Sequence, residues 1–111
     1  MNAIRPWLLC AALFGAVALP ALAAPTEATL VIKDHRFEPP ELKVAAGQRI
    51  KLIVHNQDSS AEEFESHPLK AEKVIAGGAK ATLYVGPLKP GRYPFVGEFH
   101  EATAKGVLIA E

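Results

Sequence analysis

Tyr93-Pro94-Phe95-Val96-Gly97-Glu98-Phe99-His100-Glu101-Ala102-Thr103-Ala104-Lys105-Gly106-Val107-Leu108 is the stretch whose reading decides the fold. It reads as a strand, a loop carrying Glu98, His100 and Glu101, and a closing strand. Pro90-Gly91 is the turn signal ahead of the first strand, and Gly106 opens the second. In small Greek-key sandwiches such a loop caps one end of the barrel. An imidazole between two carboxylates at that end is a donor set a metal ion can use.

The rest of the chain alternates in the same way. Thr29 to Lys33 turns Leu30 and Ile32 to one side, and Arg49 to Asn56 does the same with Ile50, Leu52 and Val54. Glu41 to Ala45, Glu72 to Ile75 and Lys80 to Val85 read as further strands, and Glu62 to Ser66 as an acidic stretch. Asp34 to Pro40 reads as a turn segment, because its two prolines cannot donate to a ladder. Pro68 to Ala71 allows one helical turn at most. Leu88-Lys89-Pro90-Gly91-Arg92-Tyr93 resembles the tyrosine corner of Greek-key sandwiches, in which the phenol bonds back to the crossing loop. Turn signals recurring roughly every eight to twelve residues, without a helical period, predict an all-β Greek-key sandwich or barrel of about 7–8 strands.

The first 23 residues read as a cleaved export signal: Arg5, an apolar run from Trp7 to Leu19, then Ala21-Leu22-Ala23 as a small-x-small cleavage site. The run is too short to span a bilayer comfortably. Cys10 lies inside it, behind Leu8-Leu9 rather than the small residue a lipid-attachment site requires. Residues 24–111 are then a single domain exported to the periplasm. The chain has one cysteine, one methionine and one tryptophan, namely Cys10, Met1 and Trp7. The exported domain therefore has no disulfide and no soft sulfur ligand. Twelve basic residues balance twelve acidic ones. No basic run points to nucleic acid, and no second apolar segment points to membrane embedding. The acidic residues are clustered, at Glu62, Glu63 and Glu65 and again at Glu98 and Glu101, so they lie on a solvated face or are compensated by a cation.

Phe37-Glu38-Pro39 with Val44 and Gly47, then Asn56, Glu63-Phe64-Glu65, Gly86-Pro87-Leu88-Lys89-Pro90-Gly91-Arg92-Tyr93 and Lys105-Gly106-Val107-Leu108, together resemble a cupredoxin over nearly all of residues 24–111. Blue-copper members place a first histidine near Glu62 or Glu63, and a cysteine, a second histidine and a methionine on the final loop. Here the loop keeps His100. Azurin-like spacing puts the cysteine at Phe95 and the methionine at Ala104, whereas plastocyanin-like spacing puts the cysteine at Gly97. Under either spacing the thiolate is missing, which excludes blue-copper electron transfer.

The same motifs are similar to the cupredoxin-like domains of bacterial periplasmic iron uptake. These are the domain of the EfeO protein and the small stand-alone cupredoxin of ferrous-iron transporters. That resemblance implies copper and/or iron as the bound metal. As partners it implies an iron permease and a second periplasmic metal-binding protein.

If the sandwich closes as in that family, Glu38, the Glu62-Glu63 region and the Glu98-to-His100 loop converge on one end. Glu38, Glu63, Glu98 and His100 are the leading ligand candidates, followed by Glu62, Glu65, His67 and His35. Carboxylates with an imidazole suit Fe(II), Fe(III), Mn(II) or Cu(II), and do not select Cu(I). Anionic oxygen ligands favour Fe(III) over Fe(II), so assistance to Fe(II) oxidation, a ferroxidase role, is the expected activity. The alternatives are a Cu(II) chaperone or buffer without iron oxidation, and a β-sandwich interaction module that binds no metal.

Overall fold

The computed structural model describes residues 23–111. The export signal expected over residues 1–23 falls, except for its last residue, outside that range. The strands, in chain order, are β1 (Glu27–Lys33), β2 (Arg36–Glu38), β3 (Glu41–Val44), β4 (Ile50–Asn56), β5 (Glu62–Ser66), β6 (Ala71–Ile75), β7 (Lys80–Val85), β8 (Gly91–Gly97) and β9 (Lys105–Ala110). One turn of 3-10 helix, Glu98–His100, lies between β8 and β9. Among the described residues no helix is long and apolar enough to cross a membrane.

The strands form two sheets, one ordered β2-β1-β4-β7 and the other β3-β9-β8-β5-β6. Neighbours run antiparallel except β1 with β4 and β3 with β9, which are parallel. Two sheets face to face bury one side of each strand, so apolar residues recur with period two. β4 shows this most plainly, burying Ile50, Leu52, Val54 and Asn56 and leaving the residues between them partly exposed.

The expected all-β sandwich is present, with nine strands among the described residues rather than about 7–8. The additional strand is β2, inside the segment read as a turn. Asp34 and His35 both take positive φ, 51° and 56°. This reverses the chain within two residues and pairs Lys33 with Arg36 and Ile32 with Phe37. The pairing buries Phe37. Pro39 and Pro40 confine the strand to three residues, as their missing N–H groups predict.

Phe37, Phe64 and Phe95 meet between the sheets. Phe37 stands edge-on to Phe95 at 4.9 Å between centroids and to Phe64 at 6.2 Å, and Phe64 lies 5.2 Å from Phe95. These spacings are favourable for aromatic pairs. Phe37 and Phe64 are each two residues from a polar residue of the group above, His35 and Glu62, and Phe95 is two residues from Gly97, which borders that group. One end of the sandwich thus carries an aromatic layer under a polar one.

The corner read from Leu88 to Tyr93 is formed, with Tyr93 Oη donating to the carbonyl of Lys89 at 2.7 Å. Tyr93→Phe removes only that bond. It is expected to destabilise the domain by about 1 kcal/mol, measured as a lower urea midpoint with an unchanged denaturant slope.

Candidate metal centre

β5 alternates buried and partly exposed residues, so consecutive glutamates face opposite ways. Glu62 points inward and is 1% exposed. Glu63 and Glu65 lie on the outer side. This single alternation divides the acidic stretch into two sites.

In the inner site, Glu62 Oε1 accepts the backbone N–H of Glu63 at 3.0 Å and that of Phe99 at 2.9 Å. Glu62 Oε2 accepts Nδ1–H of His100 at 2.5 Å. A buried carboxylate needs such compensation, and here both oxygens have it. With Nδ1 donating to Glu62, the neutral form of His100 carries its lone pair on Nε2. This is the carboxylate–histidine arrangement that orients metal-binding imidazoles. Glu62 therefore serves as the support of His100 more readily than as a ligand.

Gly97 closes the other side of Glu62. A Cβ there would stand 2.7 Å from Glu62 Cδ and 2.6 Å from Ala104 Cβ, well inside van der Waals contact. The carboxylate occupies the room a side chain at position 97 would need. Phe95, the azurin-like cysteine position, is in the aromatic core instead, while Gly97, the plastocyanin-like one, abuts the site. A cysteine ligand at 97 and Glu62 in its present place exclude one another, so the residues do not fit a blue-copper centre.

The His35 imidazole stacks on that of His100, with centroids 3.6 Å apart and planes 10° from parallel. His35 Nε2 lies 3.4 Å from Ser60 Oγ. Two non-glycine residues at positive φ cost roughly 1–2 kcal/mol each, and the turn that bears His35 is braced accordingly. Asp58 Oδ1 accepts the N–H of Asp34 at 2.8 Å, and Asp58 Oδ2 that of His35 at 3.0 Å. These bonds, that of His35 foremost, hold the Asp58 carboxyl below its ordinary range. Two imidazoles beside a carboxylate suit Cu(II) and Fe ions.

The outer site is made of carboxylates. Single oxygens of Glu63, Glu72 and Glu98 lie within 4.8 Å of one another. Glu98 is there because the 3-10 turn begins directly after β8, and Glu72 because β6 pairs with β5, setting Glu65 opposite Glu72. The Glu63 carboxyl is pushed up to about 7, chiefly by the neighbouring Glu72 carboxyl and then by burial and by Glu98. Glu65 is also raised, first by the neighbouring Glu98 carboxyl.

Unfolding returns Glu63 to its ordinary value of 4.5, so between about 4.5 and 7 the folded state holds a proton that the unfolded chain releases. Stability contributed by this group falls as pH rises through that window. Glu63→Gln removes this group's share of the dependence. The variant is expected to melt at a higher temperature than the native sequence at pH 8 and at the same temperature at pH 4, in parallel calorimetric scans.

The expected candidates are therefore distributed over two places. Glu62, His100 and His35 meet inside; Glu63 and Glu98 meet outside, with Glu65 beside them. His67 is 3.2 Å from Glu65 Oε1, but its side chain is 92% exposed, and such a pair contributes little. Glu38 is exposed on β2 opposite Val31 and belongs to neither group. Glu72, Gly97 and Asp58 were not among the expected site residues. The period-two pattern of β5 was the signal that could have set Glu62 apart from Glu63. Glu72 and Asp58 carried no such local signal, since strand pairing and a long-range turn contact bring them in.

Two face-to-face sheets with a polar cluster under the loop between the last two strands define a Greek-key sandwich with a candidate centre at one end. The sequence matches the cupredoxin-like domain family over residues 6–110, and the chain belongs to that family. An uncharacterized protein of Rickettsia prowazekii (strain Madrid E) is 43% identical over 83 residues, which are 75% of this chain and 66% of the relative. The chain thus spans just under two thirds of that protein's length.

Among solved structures, auracyanin A, a "blue" copper protein of Chloroflexus aurantiacus, superposes with a TM-score of 0.66 at 14% identity. The match covers 79% of this chain and all of that one (100%). The metal-binding domain of the Cu(I)-exporting P-type ATPase CopA of Streptococcus pneumoniae D39, solved with Cu(I), gives 0.64 at 15% identity, covering 77% and 84%. At these identities the likeness is one of fold.

Proposed function

We propose that this protein is an exported, periplasmic metal-binding cupredoxin of the EfeO-type iron-uptake group. In this reading it takes up copper and/or iron through glutamate and histidine and assists the oxidation of Fe(II). It hands iron to a permease, beside a second periplasmic metal-binding protein.

The observation that carries the reading is the pairing of two unlike sites on the same two elements. β5 and the 3-10 turn contribute Glu62 and His100 inside, and Glu63 and Glu98 outside. The inner imidazoles would hold copper, which supplies a one-electron acceptor when bound as Cu(II). The outer carboxylates are hard donors suited to iron as cargo. Raised carboxyl groups release protons when a cation binds, so iron capture at the outer site strengthens as pH rises through about 7.

Calorimetric titration of the purified protein with Cu(II), and anaerobically with Fe(II), tests this reading. Fe(III) formation is then followed with both metals present. Absence of binding by either metal at micromolar concentration defeats it. The stacked imidazole pair favours a second reading, a Cu(II) chaperone or buffer. Tight Cu(II) binding with no change in the rate of Fe(III) formation selects that one.

A further inference from the structure

His35 and His100 come from opposite ends of the sequence, and nothing local to His35 explains why its ring lies over His100. The explanation is in the β4–β5 loop. Asp58 clamps the amides of Asp34 and His35 with its two oxygens, at 2.8 and 3.0 Å. Asp58 is in turn fixed to the body of the sandwich: its own N–H is bound by Asn56 Oδ1 at 3.1 Å, and its carbonyl accepts the N–H of Gly78 at 2.9 Å. Asn56 is fully buried and donates through Nδ2 to the carbonyls of Ser60 at 2.8 Å and Ile75 at 3.1 Å. From the far side Thr103 Oγ1 donates to the His35 carbonyl at 2.6 Å. The turn is held from two sides, by Asp58 and by Thr103, although both its residues have a backbone conformation that side chains disfavour.

We infer that Asp58 is a positioning residue, fixing the Asp34-His35 turn so that the His35 imidazole stands over His100 as the second nitrogen donor of the inner centre. This rests on the reading of that end of the sandwich as a metal centre. The two ring planes are nearly parallel, so their in-plane lone pairs do not converge on one point. A shared ion requires rotation about the His35 side-chain bonds. The clamp leaves those bonds free while fixing where the ring starts.

The test compares the native protein with D58A, D58N, H35A and the double variant D34G/D58A. Proton NMR of the metal-free proteins reads the cross-ring contact between His35 and His100, and calorimetry reads Cu(II) affinity. D58A is expected to lose the cross-ring contact and to bind Cu(II) about tenfold or more weakly, close to H35A, as supports of metal-binding histidines do. Glycine at position 34 accepts positive φ freely, so D34G/D58A is expected to recover part of both signals. Retention of the ring contact and of native affinity in D58A overturns the proposal. So does a loss of affinity with the ring contact intact. If D58A does not fold, D58N, which keeps one acceptor oxygen, gives the same comparison. A native protein that binds no Cu(II) defeats the metal reading, and the ring contact in the metal-free variants still decides whether Asp58 holds His35.

Discussion

His100→Ala is expected to abolish measurable Cu(II) binding at the inner site and to destabilise the domain by about 2–3 kcal/mol. Among the described residues the imidazole is the only side-chain partner of a glutamate that is 1% exposed. Its removal leaves a carboxylate with two backbone amides and no side-chain donor, in a place water barely reaches. For a domain of this size that loss lowers Tm by about 10 °C or more. Two controls separate the metal effect from the stability effect. His55→Ala, on the partly exposed side of β4, should change neither. Replacing Glu62 and His100 together by apolar residues of similar volume should recover much of the stability, because no buried charge remains, while Cu(II) binding stays lost. If His100→Ala binds Cu(II) as the native protein does, the inner centre is not where copper is held.

Gly97→Ala is the second large effect. The glycine has extended backbone, φ −91° and ψ 104°, so no conformational strain is involved. The conflict is steric: the added methyl would lie 2.7 Å from Glu62 Cδ and 2.6 Å from Ala104 Cβ. Both neighbours are buried, and Gly97 N donates to the Ala104 carbonyl at 2.8 Å, so the backbone has little room to withdraw. Overpacking of this kind costs about 1–3 kcal/mol. It also pushes Glu62 away from His100. A lowered urea midpoint, together with a changed His100 imidazole resonance, is the expected result. Gly97→Cys should behave alike and fail to produce a blue-copper absorption band, because the thiolate would compete with Glu62 for one space.

Much of the fold was legible because it is written in period two. Leu30 and Ile32, the β4 set and the Tyr93 corner each follow from local alternation or from a local turn. β2 was missed because its cause is the positive φ of Asp34 and His35, which these residue types tolerate better than most but do not dictate, and which Asp58 supports from a distant loop. The site was legible as a list of residue types rather than as a geometry. Glu62 and Glu63 are neighbours with the same chemistry. Only their position on a strand packed against a second sheet makes one a buried support for an imidazole and the other a surface carboxylate near neutral in titration.

By itself the sequence determined the all-β class, the closing strand–loop–strand with His100, and the absence of cysteine and methionine from residues 24–111, which rules out a thiolate copper centre. These follow from alternation and composition, properties that each segment carries alone. The tertiary structure decided which carboxylate faces His100, that Gly97 rather than Phe95 borders the site, that Glu72 joins Glu63 and Glu98, and that His35 is brought over His100. Each of those depends on strand register and on long-range contacts, so no segment of the chain contains it.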